Sequence, residues 1–434
     1  MAIEMAKWFS EPGDLPDRTI SEMAKGLEGS AILKIAGEVR GLLADGRNVA
    51  NFTVGDFSPA QFKIPPALRD NIKQALDDGH TNYPPAVGIP ELRAAIRRLY
   101  KRDLGLDYPE GCVQVGSGAR PPIFAAFACL VSPGDTVLYQ VPSWNIRYYV
   151  HLTQAKGIAL QAKAENGFMF TAEDLLPHLS TARMLVINSP QNPSGTAISE
   201  KMLTDICEAI VAENQRRAQN GTPPLMLMYD QVYWQLTFGD TRHYHPAGLV
   251  PEMARYTIYV DAVSKCWAAT GLRMGWAVVP PWVRDKMKAY VGHMGAWASR
   301  SVQLATAQVL DDPSSIDTYL TELKSALQDR LQRLFEGFES MREAGLPVYA
   351  IAPQGAIYLT VRFDLHGRTV GGKAIETDDD LRSALLHGAD TAVVPFTAFG
   401  YPDKSGWVRY SVGAVGLDDV ENSLANVRRL LESV

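Results

Sequence analysis

Lys265 lies in DAVSKCWAATGLRMG, shortly after the β-branched run YTIYV, and an amine placed at a strand end can bond a carbonyl carbon or move a proton. Taken alone, a Ser-Lys pair in such a position is ordinarily a solvated loop. Farther on, Arg273 stands between Gly271 and Gly275 in otherwise apolar text. A guanidinium there needs an anion, either a ligand phosphate gripped bidentately or a buried carboxylate. Asp230 closes the apolar run LMLMYD. It reads as a cap or turn residue, or as a carboxylate that keeps a ligand ring nitrogen protonated so that the ring withdraws electrons. Tyr233 follows close enough to reach the same ligand from the other side.

Asn192 opens NPSG, a turn by composition and, in the chemical reading, a hydrogen-bond donor to a phenolic oxygen. Gly116–Ala119 spell GSGA between a strand and a helix pattern, where backbone N–H groups suit a phosphate, although plain strand–helix turns read the same way. Arg409 lies in the apolar strand WVRYSVG, pointing either to solvent or into a cleft, where it would clamp a carboxylate with two prongs.

The elements that must hold these groups alternate. From Pro65 to about residue 290, apolar β-branched runs and helical patterns take turns, which predicts βαβ units and a mostly parallel sheet. The strand runs are Cys112–Val115, Thr136–Gln140, Met184–Asn188, Leu225–Tyr229, Tyr256–Val260 and Gly275–Val279, with helices over Pro121–Leu130 and Glu200–Gln219. Open α/β sheets bind ligands at the carboxyl ends of their strands, and the groups above fall at those ends. After Asp311 a long amphipathic helix, Ser314–Ala344, leads into short antiparallel runs, Val348–Ala352, Ala356–Phe363, Ala392–Pro395 and Val408–Val412, and a last helix, Leu417–Ser433. This predicts an α/β large domain joined by a helix to a smaller α+β domain.

Bulk properties narrow the function. The chain of 434 residues is 46% hydrophobic and 21% charged, enough to split into two cores with a cleft between them. A net charge of −6 with no long Lys/Arg run argues against nucleic acid as a partner. Cys112, Cys129, Cys207 and Cys266 are scattered, with no CxxC pair, which suits a reducing cytoplasm, and no metal-ligand spacing stands out. Neither a signal-peptide core nor about 18 consecutive apolar residues occurs, so a membrane location is not expected.

Taken in order, NPSG, YDQVY, SKCWAATGLRMG and an arginine near the end resemble the class I/II aminotransferases of pyridoxal-phosphate (PLP) fold type I, over most of the chain from GDFSP to RYSVG. The resemblance implies a transaminase that exchanges an amino group between an L-amino acid and a 2-oxo acid in two half-reactions, with PLP held on Lys265 as a Schiff base. Lys265 would later shuttle the proton. By the same resemblance Asp230 pairs with the pyridine nitrogen, Asn192 and Tyr233 bind the phenolic oxygen, and Trp144 stacks on the ring. Gly118, Ala119 and Arg273 surround the phosphate, Ser264 also binds the cofactor, and Tyr83 reaches the phosphate of the neighbouring subunit in a homodimer with shared sites. Arg409 holds the substrate α-carboxylate, with Gly55, Trp144, Asn192 and Arg120 beside it. The implied organisation is an arm over 1–30 that packs on the partner, a small-domain segment over 31–60, a large domain over 61–312, and a connecting helix with the small domain over 313–434.

Two positions depart from the family pattern. Ala262 stands where the family usually has a phosphate-binding serine, and Ala119 stands where one branch has a lysine for a distal carboxylate. Arg120 next to it would take that role, or Trp144, Tyr148 and Trp297 would line a pocket for an aromatic substrate. Two other functions remain open: a PLP lyase or synthase on the same fold, and a PLP-fold regulator that senses a ligand and binds DNA. For the regulator, the roughly 60 residues ahead of the large domain are too few for a DNA-binding module plus linker.

Overall fold

A computed structural model describes residues 5–9, 13–29 and 31–434. Its centre is a seven-stranded sheet: β1 (Val113–Ser117), β2 (Thr136–Val141), β3 (Lys156–Gln161), β4 (Ala182–Asn188), β5 (Met226–Asp230), β6 (Thr257–Ala262) and β7 (Met274–Val278). The spatial order is β1-β7-β6-β5-β4-β2-β3, with β7 antiparallel to both neighbours and the other pairings parallel. Helices cover both faces, and side chains alternate between them with the strand's period of two. Thus Leu227 and Tyr229 of β5 join one core, while Met226 and Met228 join the other.

Six of the seven strands coincide with sequence-predicted runs, within two residues at each end. The seventh, β3, went unpredicted because KGIALQ lies at the sheet edge, with four of its six residues exposed, and lacks a β-branched apolar run.

The helix Ser314–Glu343 runs 30 residues, roughly 45 Å at 1.5 Å per residue. Its buried stripe Leu323, Leu327, Leu331, Leu334, Phe338 and Met341 packs against a second sheet. That sheet is antiparallel and comprises β8 (Val348–Ile351), β9 (Tyr358–Phe363), β10 (Val394–Pro395) and β11 (Trp407–Ser411), in the order β10-β11-β9-β8. The predicted run Ala392–Pro395 is divided: Thr391–Ala392 pairs in parallel with Ala50–Asn51, and only Val394–Pro395 joins β11. In this way the segment near residue 50 is tied to the C-terminal sheet.

Part of the predicted arm, residues 1–4, 10–12 and 30, lies outside the described residues. In the described part, Trp8 (69% exposed) and Phe9 (72%) face outward, while the Met23 carbonyl meets His151 Nε2 at 2.7 Å and Glu28 lies 3.8 Å from Arg147. Among the described residues no helix is long and apolar enough to cross a membrane, and no cluster of His, Cys, Asp or Glu is placed to hold a metal ion.

Candidate active site

Three neighbouring strands deliver chemistry to one end of the sheet. β4 ends at Asn188, opposite Asp230 at the end of β5, and β6 runs out into the short helix Val263–Cys266 that carries Lys265. On the far side β1 ends at Ser117, beside Met274 of β7, so GSGA and Arg273 lie together. Their contact depends on two glycines. A Cβ at Gly275 would come within 2.5 Å of the Gly118 backbone, and one at Gly118 (φ +82°) would meet the Arg273 guanidinium at 2.3 Å.

The GSGA turn opens the helix Arg120–Leu130. Pro121 and Pro122 carry no N–H, and the Gly118 amide is taken by the Gly116 carbonyl, so the amides of Ala119 and Arg120 are what this helix start offers an anion. Arg273 adds its guanidinium, anchored on the Thr270 carbonyl at 2.7 Å and the Ser117 carbonyl at 3.3 Å. Buried Ser264 precedes Lys265, and Ala262 is fully buried with no hydroxyl to add.

Lys265 Nζ donates to the Gly55 carbonyl at 2.5 Å, across the cleft from the large sheet to the loop after Ala50–Asn51. Burial lowers its pKa from 10.5 to about 8; Asp56 opposes that shift, while Arg409, Arg120 and Arg273 add to it. The Asp230 carboxyl moves the other way, from 3.8 to about 6, again mainly through burial, with the Val232 amide and Lys265 holding it back. An amine that loses its proton readily thus shares a site with a carboxylate that would gain from a cation beside it.

Arg409 forms the opposite wall. It is 1% exposed, donating from Nη1 to Asn192 Oδ1 at 2.9 Å and from Nη2 to the Thr53 carbonyl at 2.6 Å, while its buried Nε has no partner. The rings of Tyr358 and Phe399 lie 4.7 and 4.9 Å from its guanidinium carbon. Among the described residues no carboxylate forms an ion pair with it, and burial lowers its pKa. A buried cation without a counter-ion is costly, and an incoming carboxylate relieves that cost.

Lys265, Asp230, Asn192, Tyr233, Gly55 and Arg409 are therefore brought together, and Gly118, Ala119 and Arg273 form an adjoining anion cradle. Arg120 lies 4.4 Å over the Trp144 ring, with no carboxylate paired to it among the described residues. Tyr83 is 81% exposed and packs edge-on against Trp297 at 5.2 Å, outside the hydrogen-bonded cluster of this chain. Tyr148 takes a hydrogen bond from Arg147 at 2.7 Å. Sequence reasoning missed three residues: Asp56, Thr270, whose hydroxyl donates to Asp56, and Tyr358, whose hydroxyl meets that of Tyr233. Asp56 directly follows Gly55 and Thr270 lies near Arg273, so both were within reach; Tyr358, in the apolar run AIYLTV, reads as core.

This donor set fits a ligand with a phosphate at the GSGA turn, a protonatable ring nitrogen at Asp230 and a carbonyl carbon at Lys265. The buried Nε of Arg409 has no hydrogen-bond partner, so the guanidinium has a donor left for a carboxylate.

Comparison with known proteins points the same way. The family described as aminotransferase class I and II matches residues 47–427. An aspartate aminotransferase of Geobacillus stearothermophilus is 28% identical over 418 residues, covering 95% of this chain and 99% of the relative. A probable aspartate/prephenate aminotransferase of Rhizobium leguminosarum bv. phaseoli is 30% identical over 375 residues, covering 86% and 89%. The crystal structure of the aspartate aminotransferase from Rhizobium meliloti superimposes with a TM-score of 0.87 at 27% identity, covering 95% of this chain and 99% of that one.

Proposed function

Since the chain belongs to the class I and II aminotransferases and is a transaminase, we propose that it uses PLP carried on Lys265 to move an amino group between a dicarboxylic L-amino acid and a 2-oxo acid. The observation that carries this reading is Arg409, a buried guanidinium with no carboxylate partner among the described residues, set across the cleft from an amine whose pKa is lowered to about 8.

When bound, PLP supplies an electron sink for the pair released as the substrate Cα–H bond breaks. The amides of Ala119 and Arg120, with Arg273 and Ser264, would hold its phosphate. Asp230 would keep a proton on its ring nitrogen, Asn192 and Tyr233 would donate to its phenolic oxygen, and Trp144 would pack on the ring. Arg409 receives the substrate α-carboxylate, fixing the substrate so that the Cα–H bond can align with the ring. Gly55 lines the same side. Lys265, when its amine is free, would take the proton from the substrate Cα and return it to the cofactor's C4′ carbon two bonds along, acting first as base and then as acid.

The dicarboxylate assignment rests on Arg120. Its guanidinium lies on Trp144 with no carboxylate paired to it among the described residues, available to a second substrate carboxylate. The names of the relatives agree with that class. The exposed Tyr83 and Phe9 support a homodimer in which Tyr83 completes the neighbouring site, whereas the described arm residues Met23 and Glu28 meet His151 and Arg147 of their own chain. The second sheet has an apolar cluster of its own, built mainly from residues after 320, which supports a large domain over 61–312 and a small domain formed by 31–60 and 313–434, with Tyr233, Leu236, Phe238 and Ala268 of the large domain packed into that cluster. Four free cysteines suit a cytoplasmic location.

The test is a purified holoenzyme given L-aspartate and 2-oxoglutarate, with formation of glutamate followed alongside the absorbance spectrum. A visible band that requires Lys265, together with glutamate formation, supports the proposal. Release of ammonia in place of amino transfer would point to lyase chemistry and overturn it.

A further inference from the structure

Tyr358 opens β9, and in the antiparallel register with β11 it lies opposite Ser411, which makes Arg409 its diagonal neighbour. That register lays the Arg409 guanidinium over the Tyr358 ring at 4.7 Å. The same ring meets Tyr233 of the large-sheet side at a centroid distance of 5.7 Å and 73°, with the two hydroxyl oxygens 2.7 Å apart. Tyr358 is fully buried and Tyr233 is 3% exposed, so neither hydroxyl has bulk water as an alternative partner. Burial also raises both pKa values, which keeps both protons in place.

Two hydroxyls share one hydrogen bond, and its direction matters. If Tyr233 donated, it would turn lone pairs toward a cofactor oxygen that is itself an acceptor. If Tyr358 donates, the Tyr233 proton is left to serve that oxygen, and accepting a hydrogen bond makes Tyr233 the stronger donor. We propose that Tyr358 is a positioning residue that donates to Tyr233 and so aims the Tyr233 proton at the cofactor's phenolic oxygen, joining the carboxylate-binding wall to the cofactor wall. This inference rests on the PLP reading above. Tyr358 thus has two separable parts: a ring that packs on Arg409 and a hydroxyl that acts through Tyr233.

The experiment is a spectroscopic pH titration of the Lys265-linked cofactor in the wild-type holoenzyme and in Tyr358→Phe, Tyr233→Phe and the double variant, with kcat and KM for L-aspartate measured beside it. Tyr358→Phe keeps the ring, so the fold and the Arg409 contact persist. Donation to the phenolic oxygen favours the deprotonated chromophore, so weakening it raises the spectroscopic pKa, by about 0.5–1 unit for one ordinary hydrogen bond. Expected results are that shift, a fall in kcat, a KM changed by less than about twofold, and no further shift when Tyr358→Phe is added to Tyr233→Phe. An unchanged pKa in Tyr358→Phe, or an equal shift in the Tyr233→Phe background, overturns the inference. A wild type without any Lys265-dependent band overturns the PLP reading itself and the inference with it, a result distinct from a normal band that ignores Tyr358.

Discussion

The two walls of the site are held in place by different means. Asp230, Asn192 and Lys265 follow the ends of adjacent strands in one sheet, whose interior strands β5 and β6 are buried on both faces. Their spacing is set by the ladder of that sheet. Arg409, Tyr358 and the loop through Gly55 come from a second sheet and from the segment after Ala50–Asn51. Side chains and loop hydrogen bonds seat them, with Thr360 Oγ1 donating to the Ser194 carbonyl at 2.9 Å, Ser411 Oγ to the Val54 carbonyl at 2.7 Å, and the Gly355 and Ala356 amides to the Gly195 and Leu236 carbonyls at 2.9 and 2.8 Å. The first wall is rigid by construction, whereas the second is docked. Chemistry that needs fixed geometry belongs on the first, and the grip on the substrate α-carboxylate on the second.

That division predicts which kinetic constant each substitution moves. The largest effect is expected at Lys265: Lys265→Ala loses the visible band and at least about 10⁴-fold in kcat, because one group both carries the cofactor and moves the proton. Asp230→Asn removes the charge beside the ring nitrogen at nearly constant shape, and kcat should fall by about 10²–10³ with KM little changed. Arg409→Leu should do the reverse, raising KM for amino and oxo acid alike by about 10²–10³ while kcat at saturation falls less. If the signatures of Asp230 and Arg409 were exchanged, the division between the walls would be wrong. Arg120→Gln is a smaller change: KM for L-aspartate rises about tenfold, while that for a monocarboxylic amino acid stays put. Equal losses on both substrates would remove the dicarboxylate assignment.

The same division explains what was legible in the sequence. Residues of the first wall sit where apolar strand text gives way to a polar turn, as in LMLMYD or MLVIN followed by SPQNPSG, so a carboxylate or amide there is conspicuous. β3 was missed because an edge strand needs only one apolar face, and KGIALQ supplies no more. On the second wall, Arg409 showed itself as a charge in an apolar strand, but Tyr358 did not, since a tyrosine in AIYLTV has the composition of core. Its role comes from a diagonal pairing between strands far apart in sequence, and single-strand periodicity carries no register. Asp56 escaped for another reason: GDFSP announces a turn, and which turn residue faces Lys265 depends on how the loop is seated against Thr270.

The finest comparison is within the site, between the cations that lower the pKa of Lys265 and Asp56, the carboxylate that most opposes them. In protein stripped of cofactor, PLP bonds to the neutral amine, so uptake should follow deprotonation of Lys265. With a pKa near 8, the rate rises about tenfold over the two pH units centred there and then levels off. An amine at its ordinary 10.5 would instead climb roughly a hundredfold over the same interval without a plateau. The sign at Asp56 follows: its charge favours the protonated amine, so Asp56→Asn should move the midpoint of uptake down, by about half a unit. Stopped-flow uptake profiles of the two proteins decide it. A midpoint that rises in Asp56→Asn would mean that Asp56 acts on Lys265 by holding the Gly55 loop in place, and that the docked wall tunes the rigid one through position instead of charge.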